Sequence, residues 1–391
     1  MKIAQAAQTM LNDTILPFWM GLRDDENGGY YGYMDYDLHV DKTAEKGCIL
    51  NSRILWFFAS AARETGRLDL KREADHAYEF LRDHCIDREN GGVYWSVTYD
   101  GRPLDTTKHT YNQAFAIYAL AAYYRLTGYY DALALARSLF DAIEAHCTDE
   151  GGYLEAFTVD WQPESNEKLS ENGVMATRTM NTLLHVFEGY AGLYEAAPTE
   201  PVKQALLRIL SIYAEKVYSP TLHRQLVFFD HEYNSLIDLY SYGHDIETSW
   251  LIDWGTQLLG DEKLTAAIQK IDSDLASHIY DIAYTKHSVA NECERGTVNT
   301  TRVWWVQAES VLGFVNEYAK SGDRKYADAA ADIYHFICDK MVDHRPGGEW
   351  FWQTDEDGNP SHKPIVEPWK CPYHNGRMCL ELMRRNPDVE V

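Results

Sequence analysis

A closed ring of six helical hairpins, an (α/α)6 barrel with short β-hairpins in its connecting loops, is what two glycine ladders and an alternation of two helix types predict. Gly-Gly pairs begin at Gly28, Gly91, Gly151 and Gly347, at intervals of 63, 60 and 196, the last close to three repeats. A second ladder, Gly66, Gly128, Gly260 and Gly322, lies half a period away, at intervals of 62, 132 and 62. Two interleaved ladders of one period imply one supersecondary unit used six times.

The unit reads the same way at each turn of the ladder. Before a Gly-Gly pair stands a charged amphipathic helix, as over residues 70–85 and 130–147, with one apolar stripe. After the pair come aromatics (Tyr30 and Tyr31, Tyr94 and Trp95, Tyr153, Trp350) and a short alternating stretch. Asp100-Gly101 and Asp357-Gly358 mark hairpin turns there. A drier helix follows, over residues 49–62, 111–126, 180–194, 244–259, 303–318 and 373–383. A glycine often stands just past its end, as a C′ residue should. The wetter helices belong outside and the drier ones inside. An open solenoid would need polar end caps, but the last helix is apolar. Residues 3–20 read as an outer helix completing the first unit, so the ring is expected to close. No Pro- or Ser-rich linker interrupts the chain, and residues 1–391 are expected to form one catalytic domain.

Composition narrows the partners. Sixty acidic against 36 basic residues give a formal charge of −24, a field that repels phosphate backbones and anionic surfaces. Nucleic acid and membranes are therefore not expected as partners. Tyr (27) and Trp (11) outweigh Phe (13), favouring rings with a polar handle, as sugar-binding clefts use. Seven widely spaced cysteines argue for a reducing compartment rather than a disulfide framework. Cys371 and His374 form a lone C-x-x-H pair, so no metal is expected. No signal peptide is visible, and a cytoplasmic monomer is expected. There is no Walker loop, no G-x-G-x-x-G after a strand and no G-x-S-x-G elbow.

If the inner helices run parallel around a ring, their N-terminal turns meet at one mouth. Those turns are unusually polar: Asn51 and Arg53; His109, Tyr111 and Asn112; Asn181 and His185; His244 and Glu247; Arg302, Trp304, Trp305 and Glu309; Trp369, His374 and Asn375. Burying so many polar groups is costly unless they are paired or used. A network of helix caps is the bland reading and suits His109 and Asn112. It suits Arg53 less, because a cation is disfavoured at a helix N-terminus. Arg53 is expected to hold an anion, either Glu247, Glu309 or a developing enolate.

Three stretches carry a family resemblance: Ser241-Tyr-Gly-His-Asp-Ile-Glu247, Thr301-Arg-Val-Trp-Trp-Val-Gln-Ala-Glu309, and Trp369-Lys-Cys-Pro-Tyr-His-Asn-Gly-Arg377. With Asp24-Asp-Glu-Asn-Gly-Gly-Tyr-Tyr-Gly-Tyr33 and Asn51-Ser-Arg-Ile-Leu-Trp56, the chain resembles the N-acylglucosamine 2-epimerase superfamily, in particular its disaccharide-acting members, from about residue 16 to residue 377. The resemblance implies the (α/α)6 barrel. It also implies inversion of C2 at the reducing-end glucose of a β-1,4-linked disaccharide, cellobiose becoming 4-O-β-D-glucosyl-D-mannose, with lactose a further candidate substrate. His244 and His374 then match the acid/base pair, and His185 a third histidine that assists ring opening or holds a hydroxyl. Arg53 matches the arginine near the reacting oxygens, and Glu247 and Glu309 the supporting carboxylates. Trp369 matches a tryptophan stacking on the second sugar. Trp304 and Trp305 match paired cleft tryptophans, and Tyr111 and Asn181 match polar lining.

The chemistry explains the residue types. A C2 proton is acidic only once C1 is an open-chain aldehyde, and a base with pKa near the working pH is best placed to remove it. Return of the proton to the opposite face needs a second group there. The cis-enediolate between the two steps carries charge that Arg53 can stabilise without a cofactor. Three rivals stand beside this reading. One is an N-acylglucosamine or mannose epimerase or isomerase of the same superfamily. Another is a glycoside hydrolase on the same barrel, with Glu247 and Glu309 as its carboxylates. The last is a non-catalytic sugar-binding scaffold.

Overall fold

The structure is a computed structural model and describes residues 1–169 and 172–391. The chain opens with α1 (Ile3–Met10), a π turn and α2 (Leu16–Met20), and continues through α3 (Cys48–Thr65), α4 (Leu68–Phe80), α5 (Thr110–Thr127), α6 (Tyr130–His146), α7 (Met180–Ala196), α8 (Glu200–Ile212), α9 (Tyr242–Leu258), α10 (Glu262–Ile282), α11 (Trp304–Ser321), α12 (Arg324–Phe336) and α13 (Tyr373–Arg385). The odd-numbered helices from α3 to α13 are the drier ones. Residues 110–121 of α5, for example, are buried without a break, as a helix apolar on all sides must be. They pack in sequence, α3 on α5, α5 on α7, α7 on α9, α9 on α11 and α11 on α13, and α13 returns to α3. That return closes the (α/α)6 ring. The outer helices bury one stripe only, as α8 does with Val202, Ala205, Leu206, Ile209 and Leu210.

Each inner helix packs on the outer helix that follows it, α3 on α4, α5 on α6, and so on around the ring. The repeat read from the sequence as outer-then-inner is thus half a unit out of phase with the packing. The helix at residues 3–20 completes the last hairpin, not the first: α1 packs on α13, and Ile3 N–H donates to Val389 C=O at 3.0 Å. The chain termini are stitched together where the ring closes.

The two ends of the ring are built differently. At the end where inner helices finish, Gly66, Gly128 and Gly322 take φ of 67°, 70° and 71° and cap α3, α5 and α11. That left-handed turn is nearly free of cost for glycine alone. At the other end, a buried cation stands two or three residues before most inner helices. Lys46 Nζ meets Asp24 at 2.6 Å and Gly28 C=O at 2.7 Å. Lys108 meets Asp87 at 2.8 Å, Arg178 meets Asp149 at 2.7 Å, and Lys370 meets Glu349 at 2.6 Å. Each pair ties the start of a helix to the glycine corner before it and so fixes where the first turn points. Short antiparallel strands lace the same end: Lys46–Gly47 with Ser96–Val97, Ser96–Val97 with Pro103–Asp105, and Arg302–Val303 with Gln353–Thr354. The expected Asp-Gly turns are present, with Gly101 at φ 85° and Gly358 at φ 91°.

Candidate active site

The first turns of all six inner helices surround a cavity of about 510 Å³. Arg53, Tyr111, Asn181, His185, His244, Glu247, Trp304, Trp305, Trp369 and His374 line it. Glu309 does not reach the surface; it stands directly behind His374. Loops add residues that helix patterning did not mark, among them Lys168, Asn291, Glu292, Asn299, Trp352 and Lys363.

Three histidines share one design. His374 Nδ1 lies 2.7 Å from Glu309 Oε1, His185 Nδ1 lies 2.8 Å from Glu188 Oε2, and His244 Nδ1 lies 2.7 Å from Ser241 Oγ. With each Nδ1 tied back to the protein, each Nε2 is left without a partner among the described residues. His244 and His374 both pack on the Trp305 ring, at centroid distances of 4.8 and 5.5 Å. Burial, with His185 nearby, pushes His244 down to about 3. Burial, then the Arg377 and Arg53 cations, pushes His374 well below the usual imidazole range. Burial also lowers His185, against the pull of Glu188. The family of free Nε2 atoms is therefore held in its basic form.

Arg377 organises the floor. It donates from Nη2 to Glu247 Oε1 at 2.5 Å and to Glu309 Oε1 at 2.6 Å, and from Nη1 to Glu188 and Tyr373. Trp250 Nε1 donates to the other oxygen of Glu309 at 2.9 Å. One guanidinium from α13 thus joins carboxylates from α7, α9 and α11, and two of those carboxylates hold histidines. Burial works against Glu188, but Arg377 and His185 hold it down to about 2. Burial and the neighbouring Glu309 push Glu247 well above the carboxylate range. Burial also raises Glu309, against Arg377. Glu309 Oε1 and His374 Nδ1 face one another across a 2.7 Å contact with one hydrogen between them.

Arg53 holds neither Glu247 nor Glu309, two of the three anions that its position offered. Those carboxylates are taken by Arg377. Arg53 Nη2 donates to Tyr111 Oη at 2.7 Å, Nη1 reaches Cys371 Sγ at 3.9 Å, and the guanidinium lies 4.1 Å from the Phe115 ring centroid. Its Nε has no partner, and the residue is 2% exposed. Among the described residues this buried cation on the cavity wall has no carboxylate partner.

Two residues at helix starts bond in other ways than by capping. Ser241 occupies the N-cap of α9, but its hydroxyl serves His244 and no backbone N–H. His109 caps nothing: both ring nitrogens are unpartnered, the ring packs on Trp95 at 4.7 Å, and burial lowers it to about 4. Asn112 donates to Tyr94 C=O, tying α5 to its corner. Ligand atoms of Glu247, Glu309 and His374 lie within 4.8 Å of one another, a spacing a metal could use. Arg377 already supplies the positive charge to both carboxylates.

Comparisons with known proteins place the chain among its relatives. The family model of N-acylglucosamine 2-epimerase matches residues 29–376. A cellobiose 2-epimerase of Eubacterium cellulosolvens is 53% identical, over 97% of this chain and 98% of that protein. The solved cellobiose 2-epimerase of Bacillus thermoamylovorans superposes with a TM-score of 0.95, at 44% identity, covering 98% of this chain and 99% of that one. A D-mannose isomerase of Marinomonas mediterranea is 22% identical over 92% of both chains. With the matched model spanning most of its length, and disaccharide enzymes standing far nearer in sequence than the monosaccharide enzyme, the chain belongs to the N-acylglucosamine 2-epimerase family.

Proposed function

We propose that this chain, as one catalytic domain, inverts C2 of the reducing-end glucose of β-1,4-linked disaccharides, cellobiose first among them, through an open-chain aldehyde and a cis-enediolate. The observation that carries the reading is the pair His244 and His374, far apart in sequence. Both pack on one indole, both are tied at Nδ1, and both leave Nε2 for a guest in the same cavity. One takes the C2 proton; the other returns a proton to the opposite face. His374 acts together with Glu309, whose carboxylate at Nδ1 supports a proton on the ring even though burial disfavours the lone imidazolium. His185 stands beside both and assists ring opening. The enediolate oxygens meet Arg53, whose charge has no carboxylate of its own. Trp369, 5.7 Å from Trp95 and 6.0 Å from Tyr111, offers the aromatic face for the second sugar.

The hydrolase reading fits less well. Glu247 and Glu309 both hang on the same guanidinium nitrogen beneath the cavity, rather than flanking a bond across it. All seven cysteines are free thiols, consistent with residence in a reducing cytoplasm, and no helix among the described residues is long and apolar enough to cross a membrane. Incubation with cellobiose in heavy water, followed by NMR, tests the assignment. Deuterium at C2 of a new glucosyl-mannose, with no monosaccharide released, is the expected result. Release of glucose, or turnover of N-acylglucosamine in preference to cellobiose, would replace the reading.

A further inference from the structure

A second cavity, of about 440 Å³, opens at the other end of the ring, between the C-terminal halves of five inner helices. Its walls are Trp56, Tyr118, Trp250 and Trp254, and its mouth carries Arg63, Glu64, Arg125, Glu195, Glu381 and Arg384. Arg377 separates it from the cavity above. The geometry points to a second carbohydrate site here, for a neutral mono- or disaccharide, distinct from the site at the helix N-termini.

Three observations carry this. The first is an aromatic wall with unused polar handles. Trp56 and Tyr118 stack at 5.3 Å and 23° and are 7% and 9% exposed. Among the described residues, neither Trp56 Nε1 nor Tyr118 Oη has a hydrogen-bond partner, and Ser60 Oγ, half-buried beside them, has none. Donors that line an open cavity without a protein partner are free to meet a ligand's oxygens. Gly192 keeps the Tyr118 ring where it is: a Cβ there would lie 2.5 Å from that ring.

The second is charge. Arg63, Arg125 and Arg384 face Glu64, Glu195 and Glu381, three against three. The charge of Arg377 is consumed by Glu188, Glu247 and Glu309. Arg125 is paired with Glu195, and Arg384 with Glu381, while Arg63 and Glu64 have no ion-pair partner among the described residues. The C-terminal halves of five helices and a chain of −24 disfavour an anionic guest. A balanced ring of planar polar groups around aromatic faces suits a neutral polyol. The third is linkage. Trp250 forms part of this wall, yet its Nε1 donates to Glu309, which holds His374. A sugar against Trp250 touches the support of the upper site from below.

The assignment invokes no reaction, so a chain inactive on cellobiose would still be expected to bind here. Isothermal titration of the whole chain with cellobiose and with D-glucose tests it, alongside two variants. Ser60→Trp fills the cavity, and Arg63→Ala/Glu64→Ala strips its mouth. The wild type is expected to bind two sugar molecules per chain. Each variant is expected to lose one of the two and keep wild-type turnover. One bound molecule in the wild type, or two retained in both variants, overturns the site. Binding of inorganic phosphate that Arg63→Ala/Glu64→Ala abolishes, with no second sugar, overturns the neutral ligand.

Discussion

His374 Nδ1 lies 2.7 Å from the carboxylate of Glu309, whereas His244 Nδ1 meets only the hydroxyl of Ser241. The two proposed acid/base groups are therefore not equivalents. An imidazolium at position 374 is met by a carboxylate; one at position 244 is met by a neutral dipole. Either can serve as a base, but position 374 is the better-supplied acid.

A first prediction follows for each histidine. His244→Ala and His374→Ala should each lower epimerisation by about 10²–10⁴-fold in both directions, because each direction needs both groups. Solvent exchange at C2 should survive in each variant on one epimer only, the one whose proton faces the remaining histidine. NMR in heavy water with glucosyl-glucose and glucosyl-mannose as separate substrates reads this directly. Near-normal inversion in either variant would remove the two-base scheme.

Arg53 carries the second prediction. Its side chain is charged, buried and unmatched by any carboxylate among the described residues, so its counter-ion is expected to arise during the reaction. Arg53→Lys keeps the charge but loses the fork that reaches both Tyr111 and Cys371. A fall in kcat of about 10²-fold or more, with a much smaller change in KM, is expected. Steady-state kinetics beside a circular dichroism spectrum check it. Equal losses in kcat and KM would assign Arg53 to ground-state binding.

What the sequence disclosed and what it withheld have a common cause. A polar residue in the first turn of an otherwise apolar helix is conspicuous, and Arg53, His185, His244 and His374 stood out for that reason. Arg377 did not, although as the fifth residue of α13 it lies no deeper in its helix than Arg53 or His185 in theirs. Its direction has meaning only once three other helices bring Glu188, Glu247 and Glu309 around it. Glu188 had a local signal, its spacing of three from His185, which went unread. The buried cations Lys46, Lys108, Arg178 and Lys370 also recur with the glycine period, but their offset is visible only when helix starts are known. The half-unit phase error has the same origin: both inner neighbours of an outer helix look alike in sequence, and packing alone selects one.

The third prediction concerns pH. Burial holds His244 at about 3, against about 6.5 for a free imidazole. The basic form therefore persists as pH falls through 6.5. The acid limb of kcat/KM should not appear near 6.5 but well below it, towards the folded-state value. Stability runs with the same sign. His244 and His109, both depressed, bind protons in the unfolded chain first, so stability should fall as pH drops below about 6.5. Asp245 acts oppositely. Burial raises it to about 8 despite the bond from Gln225, so its contribution is lost as pH rises from about 4 through about 8. Melting temperatures across pH should show Asp245→Asn removing the loss between about pH 4 and about pH 8 and leaving the trend below about pH 4 unchanged.

The last prediction tests what aims the first turns. Lys46 and Asp24 are both fully buried and 2.6 Å apart. Lys46→Met leaves Asp24 ionised and enclosed, and removing one partner of such a pair typically costs about 3–5 kcal/mol. Asp24 also accepts the backbone N–H groups of Glu26 and Asn27, which an amide at position 24 can still satisfy. Asp24→Asn/Lys46→Met should therefore be more stable than Lys46→Met alone. The pH dependence separates this from simple loss of packing. In the wild type, burial opposes ionisation of Asp24, but Lys46 and the backbone donors hold its pKa below normal. That stabilisation is present above the unfolded value, about 3.9, and is lost as pH falls through the folded one. Lys46→Met removes the main counterweight to burial, so the gap between variant and wild type should narrow on acidification. Urea unfolding at neutral pH and at about pH 4 measures both arms. A gap that does not change with pH would mean that Lys46 acts through its methylene stem, and that the helix start is aimed by packing instead of by charge.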